Sequence, residues 1–146
     1  MYDYLEDVLA EALDDFDGED VTPAVSDLFQ VDEACRKLDT PTADMFHRCV
    51  ARFLYVAKRA RPDLQVSVAF LCKRVKAPNV GDWKKLGRLV RYVRATIYLP
   101  LILGSDGSGN MVWSIDASFA VHMDMRSYTG YCLTLGTGAP ISGSQS

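Results

Sequence analysis

The stretch Phe46-His47-Arg48-Cys49-Val50-Ala51-Arg52-Phe53-Leu54-Tyr55 decides the fold of the first part of the chain, because its apolar residues recur with the period of an α-helix. At about 100° per residue, these apolar side chains fall on one side of the helix. Arg48, Arg52 and the later Arg59 fall within about 40° of each other on the opposite side. The sequence therefore predicts a helix over residues 41–60 with one packed face and one basic face.

The ends of this helix are marked by proline. Thr40-Pro41 is typical of an N-cap followed by proline at the first helical position. Arg61-Pro62-Asp63 ends the helix, since proline disfavours helical geometry in the residue before it but is accepted in a first turn. Residues 63–75 are almost all apolar and predict a second helix, although Val66, Val68 and Phe70 would also suit a buried strand.

A third helix is predicted over residues 80–96. Asn79 and Asp82 have the spacing of a capping box, which marks the start of a helix. Apolar residues form one stripe of this helix, and the basic residues Lys84, Lys85, Arg88, Arg91 and Arg94 occupy the remaining positions. Residues 2–16 predict an amphipathic helix with acidic outer faces, ended by Gly18.

The charges are strongly segregated along the chain. Residues 1–47 carry fourteen Asp and Glu against Arg36 and Lys37, a net charge of −12, and residues 48–94 have a net charge of +11. The overall net charge of −3 therefore hides a middle third as basic as a nucleic-acid-binding segment. An acidic first third paired with the basic face is the other interpretation of the same pattern.

The residue pattern of the sequence changes near residue 100. Beyond it, short apolar runs alternate with glycine-rich turns such as Asp106-Gly107-Ser108-Gly109 and Gly136-Thr137-Gly138, which is typical of antiparallel hairpins. We therefore predict an α+β fold, in which an N-terminal helical region is followed by a three-stranded antiparallel β meander.

Asp116 lies within the apolar run Met111–Phe119. A carboxylate among residues that favour strands must be desolvated unless it is paired, and in enzymes that cleave phosphodiesters its partner is often a divalent metal ion. A lone aspartate at the end of a strand also serves commonly as a turn former or as an acceptor of N–H groups. Both interpretations of Asp116 remain open from its spacing alone.

Cysteine usage and the chain start predict an intracellular protein that is not secreted. Cys35, Cys49, Cys72 and Cys132 form no paired spacing, and His47 near Cys49 has no second ligand pair, so neither disulfides nor zinc are expected. The acidic start differs from the basic start of a signal peptide, and no apolar run is long enough to cross a membrane.

Several ordered motifs resemble the polyprotein of Ty1/copia-type retrotransposons, in the stretch after the polymerase palm. The residues that carry this resemblance are Tyr4–Leu9, Thr22-Pro23-Ala24, Phe46–Tyr55, Ala60-Arg61-Pro62-Asp63 and Trp83-Lys84-Lys85-Leu86. The run Ser114–Ala120, with Arg126–Tyr131 and Gly138–Ser142, is similar to the opening strands of the ribonuclease H domain in that family. The resemblance covers essentially the whole chain.

The resemblance implies two domains: residues 1–98 as the helical, thumb- or connection-like region of a reverse transcriptase, and residues 99–146 as the first strands of a ribonuclease H-like domain. It implies an RNA/DNA hybrid or duplex as partner, other segments of the same polyprotein as further partners, and Mg²⁺ as cofactor. Asp116 matches the catalytic carboxylate that binds Mg²⁺ on the first strand. The residues expected to contact backbone phosphate are Arg48, Arg52, Arg59, Lys84, Lys85, Arg88 and Arg91.

Departures from the family pattern predict that this chain alone is inactive. It has no Tyr-x-Asp-Asp polymerase signature, and it ends before the segment in which the family supplies the other ribonuclease H carboxylates. One carboxylate cannot hold two octahedral cations. We interpret His122 and Asp124 as loop residues. The alternative hypothesis is a charge-segregated helical protein-interaction module without nucleic-acid binding.

Overall fold

The computed structural model describes residues 1–12, 16–118, 128–138 and 140–145. It divides the chain into two compact units, Met1–Leu99 and Pro100–Ser146. The described part of the first unit is helical, and the described part of the second consists of antiparallel strands. His122, Asp124 and Arg126 lie outside the described residues.

The first unit contains four α-helices among its described residues. They are α1 (Tyr2–Ala12), α2 (Thr40–Arg59), α3 (Gln65–Arg74) and α4 (Val80–Ala95), with a 3-10 turn at Pro62–Leu64 between α2 and α3. The helices predicted from residue 41 onward are confirmed to within two residues at each end. The predicted N-cap Thr40 is wrong: the helix already begins at Thr40, and the extended residue before it, Asp39, makes no side-chain cap hydrogen bond.

Exposure along α3 decides between the helix and strand interpretations of residues 63–75. Alternate residues of a strand point to the same face, so Leu64, Val66 and Val68 would be buried together. Leu64 and Val68 are instead 0% and 1% exposed, whereas Val66 is 61% exposed. This pattern fits a helix, whose successive positions rotate by about 100°.

The core of the first unit lies between the apolar faces of its helices. Each fully buried side chain of this size contributes about 1.5–3 kcal/mol relative to leaving it in water. The largest such residues are Leu5 and Val8 of α1, Phe46, Val50, Phe53 and Val56 of α2, Leu64, Val68 and Leu71 around α3, and Leu86, Leu89 and Val90 of α4.

A buried guanidinium group ties the break after α2 to the end of α4. Arg61, which is 3% exposed, donates to both carboxylate oxygens of Asp63 and to the backbone carbonyl and hydroxyl oxygens of Thr96, at 2.8–3.2 Å. The hydroxyl of Tyr92 donates to the same carboxylate at 3.0 Å. The Arg61-Pro62-Asp63 motif therefore joins two helix ends in addition to separating two helices.

The start of α4 is fixed by the predicted capping box, which is confirmed. The backbone N–H of Asp82 donates to the Asn79 side chain, and the backbone N–H of Asn79 donates to the Asp82 carboxylate, both at 3.0 Å. Asp82 is 2% exposed and also accepts from Nε of Arg74 at 3.1 Å, which links the end of α3 to the start of α4.

The second unit contains two small antiparallel sheets among its described residues. Strands β2 (Val112–Ser118), β3 (Tyr128–Thr134) and β5 (Ile141–Gln145) form one sheet in the order β2-β3-β5. Strands β1 (Leu103–Ser105) and β4 (Gly136–Gly138) form the other. The second sheet was not predicted: β4 lies between β3 and β5 in the chain but pairs with β1.

The register of the larger sheet separates apolar from polar side chains. Trp113 faces Leu133, Ile115 faces Tyr131, and Ile141 is the other neighbour of Leu133, so these residues share one face. Asp116 pairs with Gly130 and lies on the opposite face. The apolar face is largely exposed, with Trp113 at 55% and Ile115 at 69%.

No helix in the described part of the chain combines the length and the apolar character needed to cross a membrane.

Candidate nucleic-acid interface

Two arginines of the basic face predicted on α2 form ion pairs with α1. Nε of Arg48 lies 3.0 Å from Oε1 of Glu11, and Nη1 of Arg52 lies 2.6 Å from Oε2 of the same carboxylate. The hydrogen bond from Arg52, and to a lesser extent that from Arg48, lowers the pKa of Glu11 against the opposing effect of desolvation. One acidic side chain thus bridges two of the predicted phosphate-binding arginines.

The basic face of α4 is covered by residues 16–22, which we call the acidic arm. Asp20 lies 2.7 Å from Nε of Arg91 and 3.3 Å from Nη1 of Arg88. Arg88 also donates to the Thr22 hydroxyl at 3.0 Å. The arm therefore contacts two more of the arginines that were predicted to bind nucleic acid.

Arg94 holds the beginning of the same arm. Its guanidinium group donates to the carbonyl oxygens of Phe16 at 2.8 Å and Gly18 at 3.1 Å, and it forms an ion pair with Asp17 at 3.3 Å. Arg94 belongs to the basic residues of the predicted helix but not to the predicted binding set. These backbone contacts show that the arm is held by its main chain as well as by its carboxylates.

The remaining residues of the predicted set differ in exposure. Lys85 donates to the carbonyl oxygen of Gln30 and lies 4.6 Å from the ring centroid of Phe70, and burial lowers its pKa. Arg59 is exposed and stacks on Tyr55, with its guanidinium carbon 4.0 Å from the ring centroid. Lys84 is an exposed side chain of α4.

The structure therefore does not gather the seven predicted cations into one open surface. Arg48, Arg59 and Lys84 are exposed, although Arg48 also pairs with Glu11. The other four, Arg52, Lys85, Arg88 and Arg91, are partly covered by contacts with the N-terminal third. The segregation of charge along the sequence is compatible with such pairing, since the first and middle thirds of the chain carry opposite net charges. It does not tell which acid meets which arginine.

Two buried ionic contacts were not predicted from the sequence. Arg61 with Asp63, and Arg74 with Asp82, lie where the sequence predicts only a helix break and a helix cap. A signal existed for the first pair, because an arginine two residues from an aspartate across a proline is compatible with a local ion pair. Neither contact is open to a ligand, because Arg61 and Asp82 are 3% and 2% exposed.

Asp116 is an exposed side chain on β2. Within residues 1–12, 16–118, 128–138 and 140–145, no three His, Cys, Asp or Glu side chains come together in a way that could hold a metal ion. A single exposed carboxylate does not supply the several converging oxygens that Mg²⁺ requires. The described residues therefore do not fit a magnesium centre at Asp116.

Comparison with known proteins gives partial similarities, including the following two. The chain is 31% identical over 97 residues to an uncharacterized mitochondrial protein of Arabidopsis thaliana, AtMg00810, across 66% of this chain and 40% of that protein. It is 30% identical over 90 residues to the secreted RxLR effector protein 161 of Plasmopara viticola, across 61% of this chain and 63% of that protein. The chain thus spans less than two thirds of each relative.

No protein-family model matches the chain. No solved structure matches it either.

Proposed function

We propose that this chain is a segment of a Ty1/copia-type retrotransposon polyprotein, running from the helical region after the reverse transcriptase palm into the start of the ribonuclease H domain. The order of motifs from Tyr4–Leu9 to Gly138–Ser142 supports this origin. The similarity to AtMg00810 supports a transposable-element origin at a coarser level. A helical unit followed by antiparallel strands is compatible with the proposed order of domains.

In this proposal the helical unit binds the backbone of an RNA/DNA hybrid and performs no catalysis itself. The observation that carries the binding is the exposure of Arg48, Arg59 and Lys84 on α2 and α4. Exposed cations on rigid helices contact phosphate without reading bases, and each such contact releases a counterion. Such binding is weak, independent of sequence and strongly dependent on salt.

Lys84→Glu is expected to weaken binding of the full chain to an RNA/DNA hybrid by about tenfold at low salt, because it removes one phosphate interaction and adds repulsion. Fluorescence anisotropy over a series of salt concentrations measures the affinity and its salt slope, and the slope is expected to become shallower by about one. Lys76→Glu is the matched control, since Lys76 is exposed and outside the proposed interface. Equal weakening in the two variants would show a general charge effect and would contradict the proposed interface.

Cleavage of the hybrid in the presence of Mg²⁺ is expected to be absent. Asp116 belongs to no group of three or more possible metal ligands among the described residues, and a two-metal mechanism needs several carboxylates. Incubation of labelled hybrid with the chain and with Asp116→Asn, resolved by gel electrophoresis, measures this. Cleavage that disappears in Asp116→Asn would show that the chain is an active nuclease.

The second candidate function is a charge-segregated helical protein-interaction module without nucleic-acid binding. The ion pairs of Glu11 and Asp20 with four arginines favour it, because they use the basic face within the molecule. Joint reversal of Arg48, Arg52 and Arg88 to Glu separates the two candidates. Loss of helical structure alone indicates internal pairing as their role, and loss of hybrid binding in a folded variant indicates nucleic-acid contact.

A further inference from the structure

The acidic arm leaves the arginine face of α4 incompletely neutralised. Among the described residues, the carboxylates that pair with Arg88, Arg91 and Arg94 are those of Asp17 and Asp20. Nε of Arg88 and Nε of Arg94 are buried and have no hydrogen-bond partner in the described part of the chain. Buried donors without acceptors are unfavourable, so the arm does not supply all the hydrogen bonds that Arg88 and Arg94 can make.

The carboxylate contacts of the arm are of a kind that another anion can replace. The side chain of Asp17 is fully exposed, so its ion pair with Arg94 is screened by solvent and contributes little. Asp20 is more enclosed, with 19% of its side chain exposed, and it forms the main carboxylate anchor on Arg88 and Arg91. Displacing the carboxylates of these two residues would remove the ionic partner of each of the three guanidinium groups. Arg88 would keep its hydrogen bond to Thr22, and Arg94 would keep those to the carbonyl oxygens of Phe16 and Gly18.

The shape of the face fits a linear polyanion. From Lys84 to Arg94 the helix rises about 15 Å at about 1.5 Å per residue. One strand of a duplex carries a phosphate about every 3.4 Å along its axis, so several phosphates can lie along this distance. Arginine also binds phosphate through two parallel N–H groups, which a single monodentate carboxylate does not satisfy.

We propose that the acidic arm is an exchangeable cover on α4, and that the phosphate backbone of a nucleic-acid duplex takes the place of Asp17 and Asp20 on Arg88, Arg91 and Arg94. This inference rests on the proposed function. It names the arginines that the arm gives up and that the duplex then contacts. In the free chain the arm competes with phosphate and keeps binding weak.

The double variant Asp17→Asn/Asp20→Asn is expected to bind an RNA/DNA hybrid about tenfold more tightly than the original chain at low salt. The slope of log affinity against log salt is expected to become steeper by about one to two, because phosphate then contacts arginines that the arm no longer neutralises. The matched control is Asp3→Asn/Glu6→Gln. It makes the same change in net charge at exposed residues of α1, and neither residue belongs to the ion pairs described for Arg88, Arg91 and Arg94. An equal increase in affinity in the control would overturn the proposal.

Hydrogen exchange on the unaltered chain provides a test that does not depend on the folding of a variant. When hybrid binds, amides of residues 17–22 are expected to exchange faster as Asp17 and Asp20 leave the arginines of α4, whereas Phe16 stays buried against Trp83. Bound hybrid with unchanged exchange in the arm would overturn this inference and leave the proposed function intact, whereas absence of hybrid binding by the original chain and by the double variant would overturn both. Equal displacement of the arm by polyglutamate would overturn the assignment of nucleic acid as the partner.

Discussion

Asp63→Ala is expected to lower the free energy of unfolding of the helical unit by about 3–5 kcal/mol, because it leaves the buried guanidinium group of Arg61 without its carboxylate. The substitution also removes the acceptor of the Tyr92 hydroxyl. Thr96 still accepts from Arg61, but its neutral oxygens do not compensate the charge. Urea unfolding of the full chain, followed by circular dichroism at the helical wavelength, measures the change.

Two further variants separate the contributions in this network. Tyr92→Phe removes one hydrogen bond to Asp63 and is expected to cost about 1 kcal/mol. Asp44→Ala removes an exposed carboxylate of α2 outside the network, and its effect is expected to stay within about 0.5 kcal/mol. A destabilisation by Asp63→Ala no larger than that by Asp44→Ala would show that Arg61 does not depend on the carboxylate.

The second large effect is expected at the start of α4. Asp82→Ala removes an acceptor of the capping box and the buried partner of Arg74, and it is expected to destabilise the helical unit by about 2–4 kcal/mol. Arg74 is 20% exposed and retains Glu33 at 3.8 Å, which limits the destabilisation relative to that at Arg61. Thermal and urea unfolding of the full chain measure it.

Asp82→Asn is the comparison that assigns the cause. The amide oxygen of asparagine can still accept from the backbone N–H of Asn79, so the cap is kept while the charge that faces Arg74 is removed. We expect an intermediate destabilisation. If Asp82→Asn is as stable as the original chain, the ion pair with Arg74 contributes nothing and the cap accounts for the whole effect.

Local patterns predict the helices well because their signals are contained within a few turns. The stripe around Phe46 and Phe53 and the Asn79–Asp82 spacing depend only on helical geometry, and the structure confirms both. The strand interpretation of residues 63–75 could not be excluded from periodicity. Only the burial of Leu64 and Val68 against the exposure of Val66 decides it, and burial depends on the neighbouring helices.

The candidate site was harder to predict because it depends on contacts between residues far apart in the chain. Glu11 contacts Arg48 and Arg52, which lie 37 and 41 residues further along the chain, and Asp20 contacts Arg91, which lies 71 residues further along. Helical spacing correctly places these arginines on the polar side of their helices. It does not predict which residues cover that side. The pairing of β4 with β1 is non-local in the same way, since the sequence between β3 and β5 resembles an ordinary turn.

The two bridging acids make the chain unequally tolerant of random change. Glu11 and Asp20 each serve two arginines, so a substitution at one arginine leaves the carboxylate still neutralised by the other. A substitution at either acid deprives two cations of that partner at once. A change at one of these arginines therefore leaves the ion pair of its neighbour in place, whereas a change at either acid removes two ion pairs.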